Sequence, residues 1–548
     1  MGEGIEGSTD ATADWWRGAV IYQIYPRSFK DADGDGVGDL KGVLEKLDYV
    51  ASLGVDGIWL SPFFTSPGKD FGYDVSDYRG VDPLFGTLTD FDAVVARAHA
   101  LNLKIVIDQV WSHTSDQHSW FQESAASRDN AKADWYVWAD AKDDGTPPNN
   151  WLASFGGPSW SWGPRRRQYY LHNFLVEQPD LNFWSADVQN EILDVARFWL
   201  ERGVDGFRLD VINFIVHDPA LTDNPVKPHQ GPPAMPTQFQ RHVHDRSRPE
   251  ALEFLRRLRA LMDGYDAKMT VGEVVDDPPL ARQKEYVAGR DRLHTAYGFF
   301  LLTARSAPPA LFIEALESWT PEDGWPSWSL GNHDVARFAS RLGRAGDAAH
   351  SRILLLALLC LRGSIFLYQG EELGLPQAHV PFDRLQDPFA LAAYTGDAGR
   401  DGARTPMPWT AEGASAGFSS AGETWLPVEP DHRPLAVDRQ EAEPKSTLAF
   451  TRRAIALRRG SMPLRLGTAT VLPAPQGVLA FVREFGAERL LCVLELVGAA
   501  ARCQAPADAA ILFAATGDER LGPDGLELPP FGGVVMRLSP LDRALARG

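Results

Sequence analysis

The sequence predicts an α/β chain built on a (β/α)8 barrel, with a loop-rich insertion after the third strand and an antiparallel β region at the carboxyl end. Three observations carry this. Eight short β-type runs alternate with stretches whose apolar residues recur at three-and-four spacing. A single long stretch rich in Trp, Pro, Gly and Asn interrupts that rhythm, and long irregular loops in compact folds are usually functional. Beyond residue 462 the helical period disappears and β-type runs alternate with turns.

The expected barrel strands are Val20–Ile24, Gly57–Ser61, Lys104–Asp108, Asp205–Asp210, Met269–Glu273, Thr295–Phe299, Trp328–Asn332 and Ser364–Tyr368, the sixth and seventh having the least pattern. Eight is the number a closed barrel requires. Helical stretches are expected at Leu40–Leu53, Asp90–Leu101, Gln189–Arg202, Pro249–Met262 and Ala348–Leu361, and a further one at Ser446–Arg459 leads into the carboxyl-terminal region. The barrel is therefore assigned to 1–108 and 183–462, the inserted domain to 109–182 and the β domain to 463–548, where runs such as Thr468–Leu472, Val478–Arg483, Leu490–Leu496 and Gly533–Leu538 stand out. A Pro-, His- and Asn-rich excursion at 218–248 follows the fourth strand and should overhang the same rim.

Length and charge narrow the class. A chain of 548 residues exceeds a usual single core. Its net charge of −19, with no basic run, argues against nucleic-acid backbones and anionic membranes and favours a neutral small-molecule partner. The segment Met1 to Asp14 is acidic and Gly-rich without an apolar core, and no later run reaches the ~20 apolar residues of a bilayer span. A soluble, cytoplasmic protein is expected. Only Cys360, Cys492 and Cys503 are present, without metal-ligand spacing, so neither a disulfide framework nor a zinc site is predicted. Nothing in the sequence indicates the oligomeric state.

Chemistry concentrates at strand ends. Gly206-Phe207-Arg208-Leu209-Asp210, Val271-Gly272-Glu273 and Gly331-Asn332-His333-Asp334 each end an apolar run on an acidic residue. In a barrel those ends share one rim, so Asp210, Glu273 and Asp334 should converge, and paired carboxylates of this kind break glycosidic bonds. Arg208 lies two residues before Asp210 on the same strand, so both should point into the mouth, where a fixed positive charge would keep the aspartate ionised. Separately, Asp31-Ala32-Asp33-Gly34-Asp35-Gly36-Val37-Gly38-Asp39 places oxygen ligands at alternate positions with glycines for a sharp turn, a pattern suited to a hard divalent cation. It lacks the closing Glu of an EF-hand, since Gly42 occupies that position.

Taken in order, Asp108-Gln109-Val110-Trp111-Ser112-His113, Gln178-Pro179-Asp180-Leu181-Asn182, Gly206 to Asp210, Gly272-Glu273 and Asn332-His333-Asp334 resemble the α-amylase superfamily of glycoside hydrolases (family 13) over nearly the whole chain, in its oligo-1,6-glucosidase and α-glucosidase branch. Phe71 to Tyr78, Tyr368 to Glu372 and Arg400 to Trp409 support the likeness. The resemblance implies a retaining mechanism with Asp210 as nucleophile, Glu273 as acid/base and Asp334 as the third acid. It implies that His113 and His333 bind ring hydroxyls, that Tyr73 stacks on the sugar, and that Asp70 with Arg404 clamps the non-reducing end, Arg400 being able to exchange roles with Arg404. Phe155 should border the pocket, and Phe299 with Phe300 should floor the leaving-group side. The family's loop after the first strand binds Ca²⁺, or Mg²⁺, through residues matching Asp31, Asp33, Asp35, Asp39 and the Val37 carbonyl, a structural role, since the chemistry needs no cofactor.

The implied activity is exo-acting release of glucose from short α-glucosides, with transfer to alcohol or sugar acceptors. Bond preference is divided: Val211, directly after the nucleophile, accompanies α-1,6 cleavage in the family, whereas the stretches around Arg400 and Trp111 to His118 look closer to maltose-acting and glucosyl-transferring members. Sucrose isomerases and trehalose synthases share the motifs. Catalytically silent transporter-associated relatives also share the fold, but lack the full acid set and carry a membrane anchor.

Overall fold

A computed structural model describes residues 14–228, 236–344, 346–392, 399–506 and 509–539. All but the last residue of the acidic amino-terminal stretch, and part of the 218–248 excursion, lie outside the described residues. Eight parallel strands form one sheet, Val20–Ile24, Gly57–Leu60, Lys104–Gln109, Gly206–Leu209, Met269–Glu273, Thr295–Tyr297, Ser327–Ser329 and Ser364–Tyr368. Consecutive strands are neighbours from the first to the sixth, and the eighth lies between the seventh and the first. The sixth and seventh strands meet through a single parallel bridge, Ala296 to Pro326, so the barrel is nearly closed. Thr295 Oγ1 reinforces that seam by donating to the Trp325 carbonyl at 2.8 Å and by lying 2.6 Å from Ser327 Oγ.

Strands one to five and eight are almost wholly buried on both faces, as expected of parallel strands lined by helices, and their apolar runs are correspondingly continuous. The sixth and seventh are shorter than expected, three residues each. Phe299 therefore opens a short helix, Phe299–Leu302, and Asp334 sits on a loop beyond the seventh strand rather than at its end. Helix starts follow local capping chemistry. Asp39 accepts from the Gly42 amide to open Leu40–Ser52, and Thr87 with Asp90 forms a reciprocal capping box for Leu88–Ala100.

The insertion contains a small antiparallel sheet in which Gln168–Leu171 is flanked by Trp138–Ala139 and Trp160–Gly163. Its core is Val137, Trp151, Trp160 and Leu171, so part of the tryptophan-rich composition is packing. Toward the carboxyl end, a five-stranded antiparallel sheet runs in the order Thr468–Val471, Val478–Phe485, Glu488–Glu495, Gly533–Arg537, Ala510–Ala514, with a smaller three-stranded sheet beside it.

Two buried arginines satisfy carbonyls around the end of one barrel helix, and one of them, Arg483, ties the carboxyl-terminal sheet to it. The helix Ala348–Cys360 is buried along most of its length and ends in carbonyls without intrahelical partners. Arg458 donates to the carbonyls of Leu359 and Leu361 at 2.6 and 3.0 Å, to Gly18, and to Gly363. Arg483 donates to the carbonyls of Cys360, Thr468 and Gly467 at 2.6, 3.1 and 3.0 Å. Burial pushes their guanidinium groups down to about 9 and about 10, yet both still donate as cations near neutrality. Replacing Arg458 by Met keeps much of the volume but strands four carbonyls. We expect a loss of about 3 kcal/mol or more, read as a lower midpoint in urea unfolding; an unchanged midpoint would show that water replaces these donors.

Candidate active site

Strand register assembles the site. Asp108 on the third strand pairs with Arg208 on the fourth, and Arg208 and Leu209 pair with Val271 and Gly272 on the fifth. Continuing by one residue sets Asp210 beside Glu273. Adjacent strands lie about 4.7–4.9 Å apart, and a double-displacement pair of carboxyl groups needs about 5–5.5 Å. One guanidinium spans them: Arg208 Nη1 contacts Asp108 Oδ1 at 2.8 Å and Asp210 Oδ1 at 2.5 Å, while Nη2 lies 2.6 Å from Glu273 Oε2. Tyr297, ending the sixth strand, accepts from Arg208 Nε at 3.0 Å.

Immediately after Asp210 the chain turns through Val211, held at φ 34° and ψ 47°. A left-handed β-branched residue costs about 1–3 kcal/mol and persists only where its surroundings enforce it. Its amide donates to Glu273 Oε2 at 3.2 Å, a contact that this turn makes available.

Charge balance differs from the sequence expectation. Burial raises Asp210 to about 7, and Arg208 only partly offsets it, because the same cation serves Asp108 and Glu273 as well. Burial likewise raises Glu273 to about 7, with the charges of Asp210 and Asp334 adding to it. Burial also raises Asp108, the third acid on this guanidinium, to about 6, so the three carboxyls are short of full ionisation and share a retained proton near neutrality. Asp334 goes the other way: although burial opposes ionisation, His333, Arg404, Arg400 and Arg208 hold its carboxyl well below the usual carboxylate range.

A cavity of about 240 Å³ lies over these acids. Asp70, Tyr73, His113, Phe155, Asp210, Glu273, Phe299 and Asp334 line it, as the sequence led us to expect. The Asp70–Tyr73 turn is shaped by Asp74, whose carboxylate accepts from the amides of Lys69 and Asp70 at 2.8 and 2.9 Å and from Ser66 Oγ at 2.8 Å. His113 donates or accepts at Nδ1 with Ser112 Oγ (2.8 Å), and its Nε2 lies 3.0 Å from the Tyr73 carbonyl. Burial pushes it down to about 4, so the ring is neutral.

Three expectations need correction. Asp70 pairs with Arg400 rather than with Arg404, at 2.7 Å. Arg400 lines the cavity and is itself anchored to Asp387 at 2.7 Å, whereas Arg404 is fully buried beneath, donating to the His333 carbonyl at 2.7 Å and to Asp334 at 2.9 Å. The difference arises because Arg400 precedes the one-turn helix Asp401–Arg404 while Arg404 ends it, on the side facing the barrel. His333 is absent from the cavity wall. Its nitrogens are taken by Gln23 Nε2 at 2.8 Å and Tyr73 Oη at 2.6 Å, and its ring stacks on Tyr73 at 5.2 Å. Phe300 packs into the core behind Phe299.

Sequence reasoning missed Phe174, Phe214, Arg246 and Phe389. Phe155 meets Phe174 and Phe389 edge-on, and Arg400 lies 5.1 Å from the Phe155 ring centre. Arg246 comes from the 218–248 excursion, and that placement over the rim was its only sequence signal.

In the acidic loop, ligand oxygens of Asp31, Asp33 and Asp39 lie within 4.8 Å of one another. Asp35 is not among them; its Oδ1 accepts from the Val37 amide at 2.8 Å. Asp31 accepts from the amides of Gly34 and Gly36, and Asp39 from those of Ala32 and Gly42, which fixes both carboxylates in place. Oxygen donors alone, fixed at one turn, fit a hard cation.

The shared proton gives a direct test. Because the Asp210 charge raises Glu273, Asp210→Asn should move the Glu273 titration below about 7. A carboxyl-region infrared or carbon-13 titration reads this, and an unmoved Glu273 would mean that the two groups do not interact.

Comparison with known proteins agrees with this arrangement. The profile of the alpha amylase catalytic domain matches residues 23–467. A probable alpha-glucosidase of Rhizobium meliloti is 49% identical over 517 residues, covering 92% of this chain and 94% of that protein. An oligo-1,6-glucosidase of Parageobacillus thermoglucosidasius is 36% identical, covering 87% and 90%. Among solved structures, the alpha-glucosyl transfer enzyme XgtA superposes with a TM-score of 0.91 at 48% identity, over 95% of this chain and 99% of that one. With a near-closed eight-stranded barrel, a cavity over its acidic rim and these likenesses over almost the full length, the chain belongs to the alpha-amylase family and is a glycoside hydrolase.

Proposed function

We propose that the protein is a retaining, exo-acting α-glucosidase that releases glucose from the non-reducing end of short α-glucosides and also transfers it to other acceptors. The observation that carries this reading is that Asp210 and Glu273 share one guanidinium in a small cavity closed behind by the Asp70–Arg400 pair. Room for one sugar ring with a charged wall beyond it suits end-on entry rather than cleavage within a long chain. Asp210 attacks the anomeric carbon while Glu273 gives its proton to the departing oxygen; a covalent glycosyl ester results. Glu273, now a carboxylate, then takes a proton from the incoming water or alcohol as the ester breaks and Asp210 is restored. Attack requires an ionised Asp210 and departure a protonated Glu273, a combination open to a cluster whose carboxyls are raised toward neutrality. Asp334, kept ionised, suits hydrogen bonds to sugar hydroxyls that strengthen as the ring flattens. Arg400 takes the clamping role with Asp70, and Arg404 and His333 position Asp334 and Tyr73 from beneath.

Relatives named for maltose-type and for 1,6-linked substrates both stand near this chain, for example Maltase 1 of Drosophila virilis at 38% identity over 89% of the chain. Our reading favours maltose-like substrates, with α-1,6 linkages accommodated at Val211. Three free, buried cysteines fit a reducing, cytoplasmic setting. Among the described residues no helix is long and apolar enough to cross a membrane.

Initial rates on maltose, isomaltose, sucrose and soluble starch test the reading. Free glucose from the disaccharides, with little from starch and no isomerised sucrose, is expected; fast internal cleavage of starch would refute the closed cavity.

A structural Ca²⁺ or Mg²⁺ held by Asp31, Asp33 and Asp39 belongs to the same reading, acting on the loop and not on the reaction. Added Ca²⁺ or Mg²⁺ should raise the thermal midpoint of the wild type and leave that of Asp31→Ala unmoved. The same midpoint with and without the ion in the wild type would remove the metal from the account.

A further inference from the structure

A second, wider cavity of about 1110 Å³ lies beside the reaction pocket, between the excursion after the fourth strand and the segment after the fifth. The two cavities share Arg246 and Val275. Val275 stands two residues beyond Glu273, so the wider space adjoins the wall that bears the proposed acid/base.

Its charge runs against that of the chain. Lys227, Arg241, Arg246, Arg248 and Arg282 line it against the carboxylates of Asp276 and Asp277, in a protein of net charge −19. Four of these cations have acidic neighbours: Lys227 meets Asp277 at 2.7 Å, Arg282 meets Asp276 at 3.0 Å, Arg246 meets Asp245 at 3.3 Å and Arg248 meets Glu250 at 3.6 Å. Arg241 is exposed and has no ion-pair partner among the described residues. Arg246 is only 8% exposed. Its Nη2 is anchored by His242 Nδ1 at 3.0 Å and by Asp245, yet its buried Nε has no hydrogen-bond partner. That Nε is closed off from solvent, so among the described residues Arg241 is the cation of this groove whose charge is free for a group from outside the chain.

We propose that this groove receives the leaving group or acceptor and favours one that carries an oxyanion, a carboxylate or a phosphate monoester. The inference rests on the glucosidase reading and extends it. In the transfer step the acceptor hydroxyl oxygen bonds to the anomeric carbon, its proton passes to Glu273, and the bond from that carbon to Asp210 breaks, returning the aspartate as a carboxylate. The acceptor's anion takes no part in bond making. It is held by the exposed Arg241 guanidinium in the groove wall, which orients the hydroxyl toward the ester.

The experiment uses the full chain with 4-nitrophenyl α-glucoside as donor and three acceptors of similar size: glycerol, glycerate and glycerol 3-phosphate. Nitrophenol release reports total turnover, and mass spectrometry separates transferred from hydrolysed glucose. We expect transfer relative to hydrolysis to be about fivefold higher for the anions than for glycerol at low salt, with the advantage shrinking as salt is added. An advantage for only one anion supports the proposal and identifies the group. Arg241→Gln, at an exposed position outside the reaction pocket, should reduce the anionic advantage about threefold while the partition between hydrolysis and transfer to glycerol stays as in the wild type. Equal partition among the three acceptors, or an advantage untouched by Arg241→Gln, overturns the proposal while leaving the glucosidase reading intact. Absence of nitrophenol release overturns both.

Discussion

Everything at the rim of this barrel is arranged around one buried cation. Arg208 is inaccessible to solvent, and its guanidinium contacts Asp108, Asp210 and Glu273 while its Nε meets Tyr297. Burying a lone guanidinium would be prohibitive, and burying three carboxylates without it would be worse. Together they form a cluster in which negative charge exceeds positive charge by more than the site can ionise. A retained proton is the outcome, and the chemistry proposed for the site uses that proton. The shortage of positive charge is therefore part of the design, and a second arginine among these three acids would remove it.

A second set of charges sits a few residues away with the opposite balance. Asp334 faces Arg404, Arg400 and His333 and remains ionised, while Arg400 is shared with Asp70 and Asp387. The cavity is thus bounded on one side by carboxyls that burial pushes toward the protonated form and on the other by Asp334, which stays ionised. Tyr73 joins the halves, its hydroxyl touching Asp108 at 3.0 Å and His333 at 2.6 Å.

Much of the scaffold was legible in the sequence because strands buried on both faces leave continuous apolar runs, and those of the first five strands and the eighth are plain. The sixth and seventh were blurred. At three residues each they are too short to establish a period, and their ends were placed too far along the chain. The acids were legible because register on neighbouring strands needs only local motifs to convey it. The choice between Arg400 and Arg404 was not, since four residues on a short helix separate the two, and which one faces the cavity depends on how that turn seats against Asp387 and His333. Phe174 and Arg246 come from irregular loops and Phe389 from the one-turn helix Pro388–Ala392, segments too short or irregular to leave a periodic signature, so only the folded chain reveals that they meet.

Val211 illustrates how such a site can change without losing its machinery. The amide at this position, not the side chain, reaches Glu273, and the surrounding strand ends dictate the backbone twist. The side chain that projects from it is consequently free of catalytic duty, although it forms part of the cavity wall. Inheritance can act on the two separately: drift in the residue alters the cavity wall, generation after generation, while the contact to Glu273 is kept by a main-chain amide that every residue except proline supplies.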